Sequence, residues 1–285
     1  MSHDPRLTFA RPDLADVALE GRVEAQRFAE PVLRRVIAPL ADLRRAPRLD
    51  SGIDTQALMG EAVRVLEEDA EGFAFVQLAR DSYVGYLPSA ALGAAEPVPT
   101  HRVSAIRTFL YPGPSLKLPI AGYLSFGARV AVSGWSGDYA EVPGAGFVHG
   151  AHLAPADSIE PDFVALAERF METPYLWGGK SSLGIDCSGL VQIALQGAGR
   201  EAPRDSDMQA GSLGAAIPIE EGRGAPRRGD LVFWSGHVGL LLDESTLLHA
   251  NGHHMKVAAE PLEGAIARIA AKSFGAVTGW RRIVD

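Results

Sequence analysis

The stretch Trp177–Val191, WGGKSSLGIDCSGLV, holds the only cysteine in a chain of 285 residues. A structural thiol would more often sit inside an apolar run, where it behaves as a small apolar side chain. Cys187 instead follows Asp186 in a glycine-studded turn and opens the run CSGLVQIALQGAG, which reads as a helix stopped by Gly197 or Gly199. A helix start presents unpaired N–H groups and the positive end of the macrodipole, so this placement predicts a stabilised thiolate with a lowered pKa. The same N–H groups suit the oxyanion of an acyl-transfer intermediate. A thiol still needs a base at neutral pH, which turns attention to the histidines.

There are eight histidines. His3, His101, His149 and His152 fall in the tail or in β-rich sequence and are expected at the surface. His237 heads the strand-like GHVGLLL, and His249 closes STLLHA twelve residues later, with a turn near Asp243–Ser245. Antiparallel pairing about that turn brings both imidazoles to one end of a sheet. His237 could then take the thiol proton, and His249 could fix its tautomer. A zinc set drawn from His249, His253 and His254 is disfavoured, because adjacent strand residues face opposite ways and no second ligand pair completes a familiar spacing. No metal or other cofactor is expected. Spacing alone leaves a structural cysteine with capping histidines as a live alternative.

Around this region the chain divides near residue 157. Before it lie short β-like runs between Gly and Pro: RRVIAPLADLR, AVRVLEE, FAFVQLA and YVGYLP, then HRVSAIRTFLY, ARVAVSGW, YAEVPG and GFVHG. The two sets look like a repeat, with Gly60 and Gly127 preceding Val-x-Val and a seven-residue step from Gly85 to Leu92 and from Gly146 to Leu153. After residue 157, EPDFVALAERFMETPY has helical spacing, and GDLVFW, HVGLLLD, STLLHA and VTGWRRIVD read as strands. Helix first and sheet after predicts an α+β fold.

The blocks TPYLWGGKSSLGIDCSGLV, RDSDMQ, RRGDLVFWSGHVGLLL and LLHANG resemble the NlpC family of papain-like cysteine peptidases, which cut bacterial cell-wall peptides. The β-rich half resembles bacterial Src-homology-3 domains, more closely over 31–95 than over 99–156. The resemblance implies a papain-like domain at 157–285, preceded by two SH3-like β-barrels at 31–95 and 99–156 and an extension at 1–30 without a family counterpart. It implies Cys187 as nucleophile, His237 as base and His249 as the orienting residue. The tandem modules are like the subgroup that hydrolyses the γ-D-Glu–diamino acid bond of murein peptides with a free N-terminal L-Ala. By that pattern Asp186, Ser188, Ser206 and Tyr175 would bind substrate, and Tyr83 of the first module would close the pocket. Asp186 equally suits a helix N-cap, and Arg204 and Ser206 could equally shape a loop.

Composition is compatible with this. Apolar residues at 47% and charged residues at 22% are ordinary for a globular protein. A net charge of −8, from 27 basic and 35 acidic residues, disfavours a nucleic-acid partner. The acidic N-terminal stretch lacks the apolar run of a signal peptide, and nothing approaches a membrane span, so no membrane partner and a cytoplasmic, murein-recycling role are expected. The rivals are an amidase or acyltransferase of the same fold and a non-catalytic wall-peptide binder. The oligomeric state is left open.

Overall fold

The computed structural model describes residues 4–283, so His3 lies outside the described residues. The chain forms two compact units, 1–158 and 159–285.

In the first unit, AVRVLEE and FAFVQLA become the strands Ala62–Glu68 and Phe73–Leu78. They lie in a seven-stranded sheet ordered Leu92–Ala94, Val32–Val36, Ala62–Glu68, Phe73–Leu78, Val84–Pro88, Leu40–Arg44, Ile53–Leu58. Two runs that read as single strands are each broken. RRVIAPLADLR splits into Val32–Val36 and Leu40–Arg44 at Pro39, which has no N–H to give a ladder. HRVSAIRTFLY splits into His101–Val103 and Arg107–Leu110, because the N–H groups of Ser104 and Ala105 turn to the carbonyl of His152.

The seven-residue step is visible as structure. Strand Val84–Pro88, a 3-10 turn at Ser89–Ala91 and strand Leu92–Ala94 are matched by Gly146–His149, Gly150–His152 and Leu153–Pro155. Gly60 and Gly127 both have positive φ, 81° and 85°. At Gly60 a Cβ would also lie 2.2 Å from the carbonyl oxygen of Arg129, which only glycine permits. The strands between residues 101 and 155 form several small sheets rather than one continuous sheet. His101, His149 and His152 are half-buried instead of exposed. The His152 ring lies 5.4 Å from that of His149 and 2.8 Å, through Nδ1, from the Thr108 hydroxyl, and burial lowers its pKa.

Residues ahead of the first module are not a loose extension. Leu14–Asp16 pairs antiparallel with Ala10–Arg11 and parallel with Arg27–Ala29. This small sheet is tied to the seven-stranded one by Arg64 on Asp16, by Arg11 and Arg27 on Glu67, and by Val84 N–H on the Arg6 carbonyl at 2.8 Å. Phe9 is buried, 5.2 Å from the ring of Phe75. None of these partners is local in sequence, so the arrangement is a tertiary product.

In the second unit a six-stranded antiparallel sheet runs in the order Ala215–Ile217, Gly279–Arg282, Asp230–Trp234, His237–Leu241, Thr246–Asn251, Lys256–Pro261. Helix Phe163–Glu168, capped by the Asp162 carboxylate, packs on helix Cys187–Gly197, which packs in turn on the strands carrying His237 and His249. Helix Leu262–Lys272 has Leu262, Ala265, Ile266 and Ile269 on one face, and these join Val232, Trp234, Leu241, Leu247 and Trp280 in an apolar cluster. Among the described residues no helix is long and apolar enough to cross a membrane.

Candidate active site

The glycines of the opening motif allow close backbone approach. A Cβ on Gly189 would lie 2.3 Å from the carbonyl oxygen of Gly179, and one on Gly179 would lie 2.5 Å from that of Gly184. Gly178 has φ 75°, in the left-handed region that side chains disfavour. The turn is therefore pressed onto the first turn of the Cys187 helix. Trp177 is 68 % exposed, so its ring does not fill the core.

Asp186 is the N-cap, accepting from Gly189 N–H at 2.7 Å and from Gly178 N–H at 2.8 Å. Arg204, 1 % exposed, grips the same carboxylate with both Nη atoms, at 2.9 and 2.7 Å. It also meets the Ser188 hydroxyl at 2.9 Å and the Gly179 carbonyl at 3.3 Å. Ser188 thus belongs to this capping network. Any ammonium arriving at Asp186 meets a neutralised ion pair, not the bare carboxylate suggested by the sequence. Arg204 shapes the loop, as one reading of the sequence allowed. Ser206 opens helix Ser206–Ser212 and is half-buried.

Cys187 is 7 % exposed at the first position of its helix. The backbone N–H groups of Val238 and Ser188 favour its anionic form. Its helix packs on the strand His237–Leu241, which brings the thiol to the strand that carries His237. The expected lowering of its pKa is not what the structure gives. Burial, reinforced by the Asp186 charge, pushes the thiol up to about 12, against the pull of those N–H groups and Arg204. A helix start favours an anion, but taking the sulfur out of water costs more.

His237, 3 % exposed, is pushed down to about 3 by burial, then by His249 and Arg268 and against Glu260, so the resting pair is neutral thiol and neutral imidazole. Strand period places both histidines correctly. Trp234 is paired with His237 and Leu241 with Leu247, so His237 and His249 share a face. Nε2 of His237 lies 2.8 Å from Nδ1 of His249. The Phe274 ring stacks on His237 at 5.1 Å and 5°. The turn is capped by the Asp243 carboxylate, which accepts from Ser245 N–H at 2.7 Å.

Two partners escaped the sequence reading. Nε2 of His249 is 2.7 Å from Oε1 of Glu260, and Arg268 donates to that same oxygen. Burial opposes ionisation of Glu260, but the bonds from His249 and Arg268 hold it down to about 2. Its signal was alternation in KVAAEP: Glu260 pairs with Leu247, next to the Ala258 that pairs with His249. The grouping His249, His254, Glu260 has donor atoms within 4.8 Å of one another, but the Arg268 cation already occupies Glu260. His253 is not among them.

Tyr175 is brought to the site. Its N–H reaches the Met255 carbonyl at 2.9 Å and it bridges Ile185, while burial and then the neighbouring Cys187 and Asp186 raise its pKa. The hydroxyl is therefore a proton-bearing donor. Tyr83 belongs to the first unit, is 4 % exposed, and its N–H binds the Asp81 carboxylate at 3.1 Å.

A buried thiol at a helix start, packed on the strand of a histidine that is hydrogen-bonded to a second histidine, supplies the residue types that a nucleophile–base–orienter arrangement needs. Residues 172–271 match the NlpC/P60 family, and residues 43–92 match the bacterial dipeptidyl-peptidase Sh3 domain. The chain carries an NlpC/P60 peptidase domain. The NlpC/P60 domain is accompanied by similarity along more of the chain. It is 28% identical over 221 residues to the gamma-D-glutamyl-L-lysine dipeptidyl-peptidase of Bacillus subtilis (strain 168), covering 70% of this chain and 73% of that protein. It is 37% identical over 100 residues to dipeptidyl-peptidase 6 of Lysinibacillus sphaericus, covering 35% of each. An NlpC/P60 family protein from Bacillus cereus ATCC 10987 has the same fold, with TM-score 0.73 at 20% identity, over 89% of this chain and all of that one (100%).

Proposed function

We propose that the chain is a cysteine endopeptidase that hydrolyses the γ-D-Glu–diamino acid bond of murein peptides bearing a free N-terminal L-Ala. The observation that carries this reading is the buried Cys187 at the start of a helix packed on the strand of His237, whose ring is hydrogen-bonded to His249. His237 takes the thiol proton as Cys187 attacks the γ-carbonyl. Because the resting thiol is neutral, proton transfer and attack are coupled, with no standing thiolate. The oxyanion draws on helix-start N–H groups not committed to Asp186, and the Tyr175 hydroxyl is a further donor. His237 then protonates the departing amine, and water releases the acyl enzyme.

The substrate class is supported by the name of the Bacillus subtilis relative, a gamma-D-glutamyl-L-lysine dipeptidyl-peptidase. We place the substrate amine near Asp186, Ser206 and Tyr175, as the resemblance implies. The matched local structures of the two halves of the first unit support a second SH3-like barrel at 99–156. A cytoplasmic role in recycling released wall peptides belongs to the same proposal.

Incubation with L-Ala-γ-D-Glu-diaminopimelate, or the lysine tripeptide, should release L-Ala-γ-D-Glu and the free diamino acid, read by mass spectrometry. The N-acetylated tripeptide should be inert. Cleavage of both at equal rate would remove the amine requirement, and cleavage of neither would remove the proposed substrate.

A further inference from the structure

Two neutral imidazoles can share one hydrogen bond in either of two senses. In one, His237 donates from Nε2 and keeps its lone pair on Nδ1. In the other it accepts at Nε2 and carries its proton on Nδ1. Nε2 is committed to His249, so Nδ1 is the nitrogen left to serve a thiol. Only the first sense makes it basic.

The group that selects the sense stands one step beyond His249. Oε1 of Glu260 is 2.7 Å from Nε2 of His249, and Arg268 donates to the same oxygen. A carboxylate bound by a guanidinium only accepts hydrogen bonds, so Nε2 of His249 must carry the proton. Neutral His249 then offers only a lone pair at Nδ1, and His237 has to donate to it. Burial keeps the His249 pKa below its ordinary value, against the bond and charge of Glu260 and with the charges of Arg268 and His254. We infer that Glu260, anchored by Arg268, is a positioning residue that fixes the direction of the imidazole relay and leaves Nδ1 of His237 as the proton acceptor. Arg268 cancels the charge of Glu260, so the pair orients the relay without placing a net charge beside it. When His237 accepts the thiol proton, its Nε2–H bond to His249 is unchanged and nothing in the relay has to reorganise.

This inference rests on the cysteine-peptidase reading, and its test separates the two. The 15N shifts of histidine ring nitrogens report which one bears the proton, with no substrate present. In the wild-type full chain His237 should be the Nε2–H tautomer. Glu260→Gln retains a carbonyl acceptor, so it should keep that tautomer and hold kcat within about fivefold. Glu260→Ala leaves Arg268, which can only donate, facing Nε2 of His249. The relay should reverse, with His237 as Nδ1–H, kcat down about 100-fold and KM within about threefold. Removing the misplaced donor in Glu260→Ala/Arg268→Ala should recover about tenfold of that loss.

An Nδ1–H tautomer of His237 in the wild type would overturn the inference, whatever the variants do. So would equal losses in the Gln and Ala variants, or an unchanged His237 tautomer in Glu260→Ala. If Glu260→Ala does not fold, the wild-type and Glu260→Gln spectra still decide. Absence of peptide cleavage by a wild type with the expected tautomer would count against the substrate reading alone.

Discussion

Arg204→Leu isolates the buried ion pair that shapes the nucleophile's turn. Arg204 is 1 % exposed and meets both oxygens of Asp186, at 2.9 and 2.7 Å. Removing one partner of a buried pair costs about 3–5 kcal/mol, because the other charge is left uncompensated. Asp186 keeps two N–H donors, from Gly178 and Gly189, which places the expected loss near the lower end, about 3 kcal/mol. Asp186→Asn should cost a similar amount by stranding the guanidinium. The double variant has no orphaned charge, and Asn still caps the helix. It should therefore be more stable than the sum of the singles requires, by a coupling of about 2 kcal/mol. Urea unfolding followed by tryptophan fluorescence suits the measurement, since Trp177, Trp234 and Trp280 lie in the second unit and only Trp135 in the first. A loss below about 1 kcal/mol in Arg204→Leu, or strictly additive losses, would refute the reasoning.

Stability should vary with pH in a direction set by the two buried reacting groups. The unfolded state binds the His237 proton from pH 6.5 downward while the folded state resists until about 3, so folding weakens by about 2 kcal/mol between pH 7 and 5. Glu260, held down to about 2, adds a loss of the same sign below its ordinary value of 4.5. The thiol, held up to about 12 from 9, costs stability above pH 9 instead, leaving a plateau between about 6.5 and 9. Denaturant midpoints across pH check this, and a flat acid limb would contradict a neutral buried His237. Gly189→Ala, whose Cβ would meet the Gly179 carbonyl oxygen at 2.3 Å, should cost at least about 2 kcal/mol, whereas Gly211→Ala, with open space around it, should gain up to about 1 kcal/mol. Equal effects at the two sites in the same unfolding assay would mean the backbone approach is not what Gly189 serves.

What the sequence disclosed follows from how local each signal was. The His237–His249 pairing was legible because strand alternation and an acidic turn suffice to place two residues twelve apart. The helix start at Cys187 was legible because an Asp cap and a glycine stop frame it. Glu260 was missed because KVAAEP is rich in alanine and has weak strand character, although Lys256–Pro261 is held in the sheet by its neighbour. The pairing of Arg204 with Asp186 spans a loop that no periodicity describes. The thiol's acidity was misjudged because helix polarity can be read from a sequence, whereas burial depends on everything that folds around the sulfur.

The small sheet at the head of the chain has a practical consequence. Phe9, Leu14 and Ala15 are sealed under it, and Arg11, Asp16 and Arg27 are fastened to Arg64 and Glu67. A fragment cut to the family boundary at residue 43 would lose this roof and also the strand Val32–Val36, baring apolar and charged surface made to be covered. Recombinant versions should begin ahead of Arg6, and a fusion partner or protease site set between residues 6 and 29 would act as a wedge under the first unit.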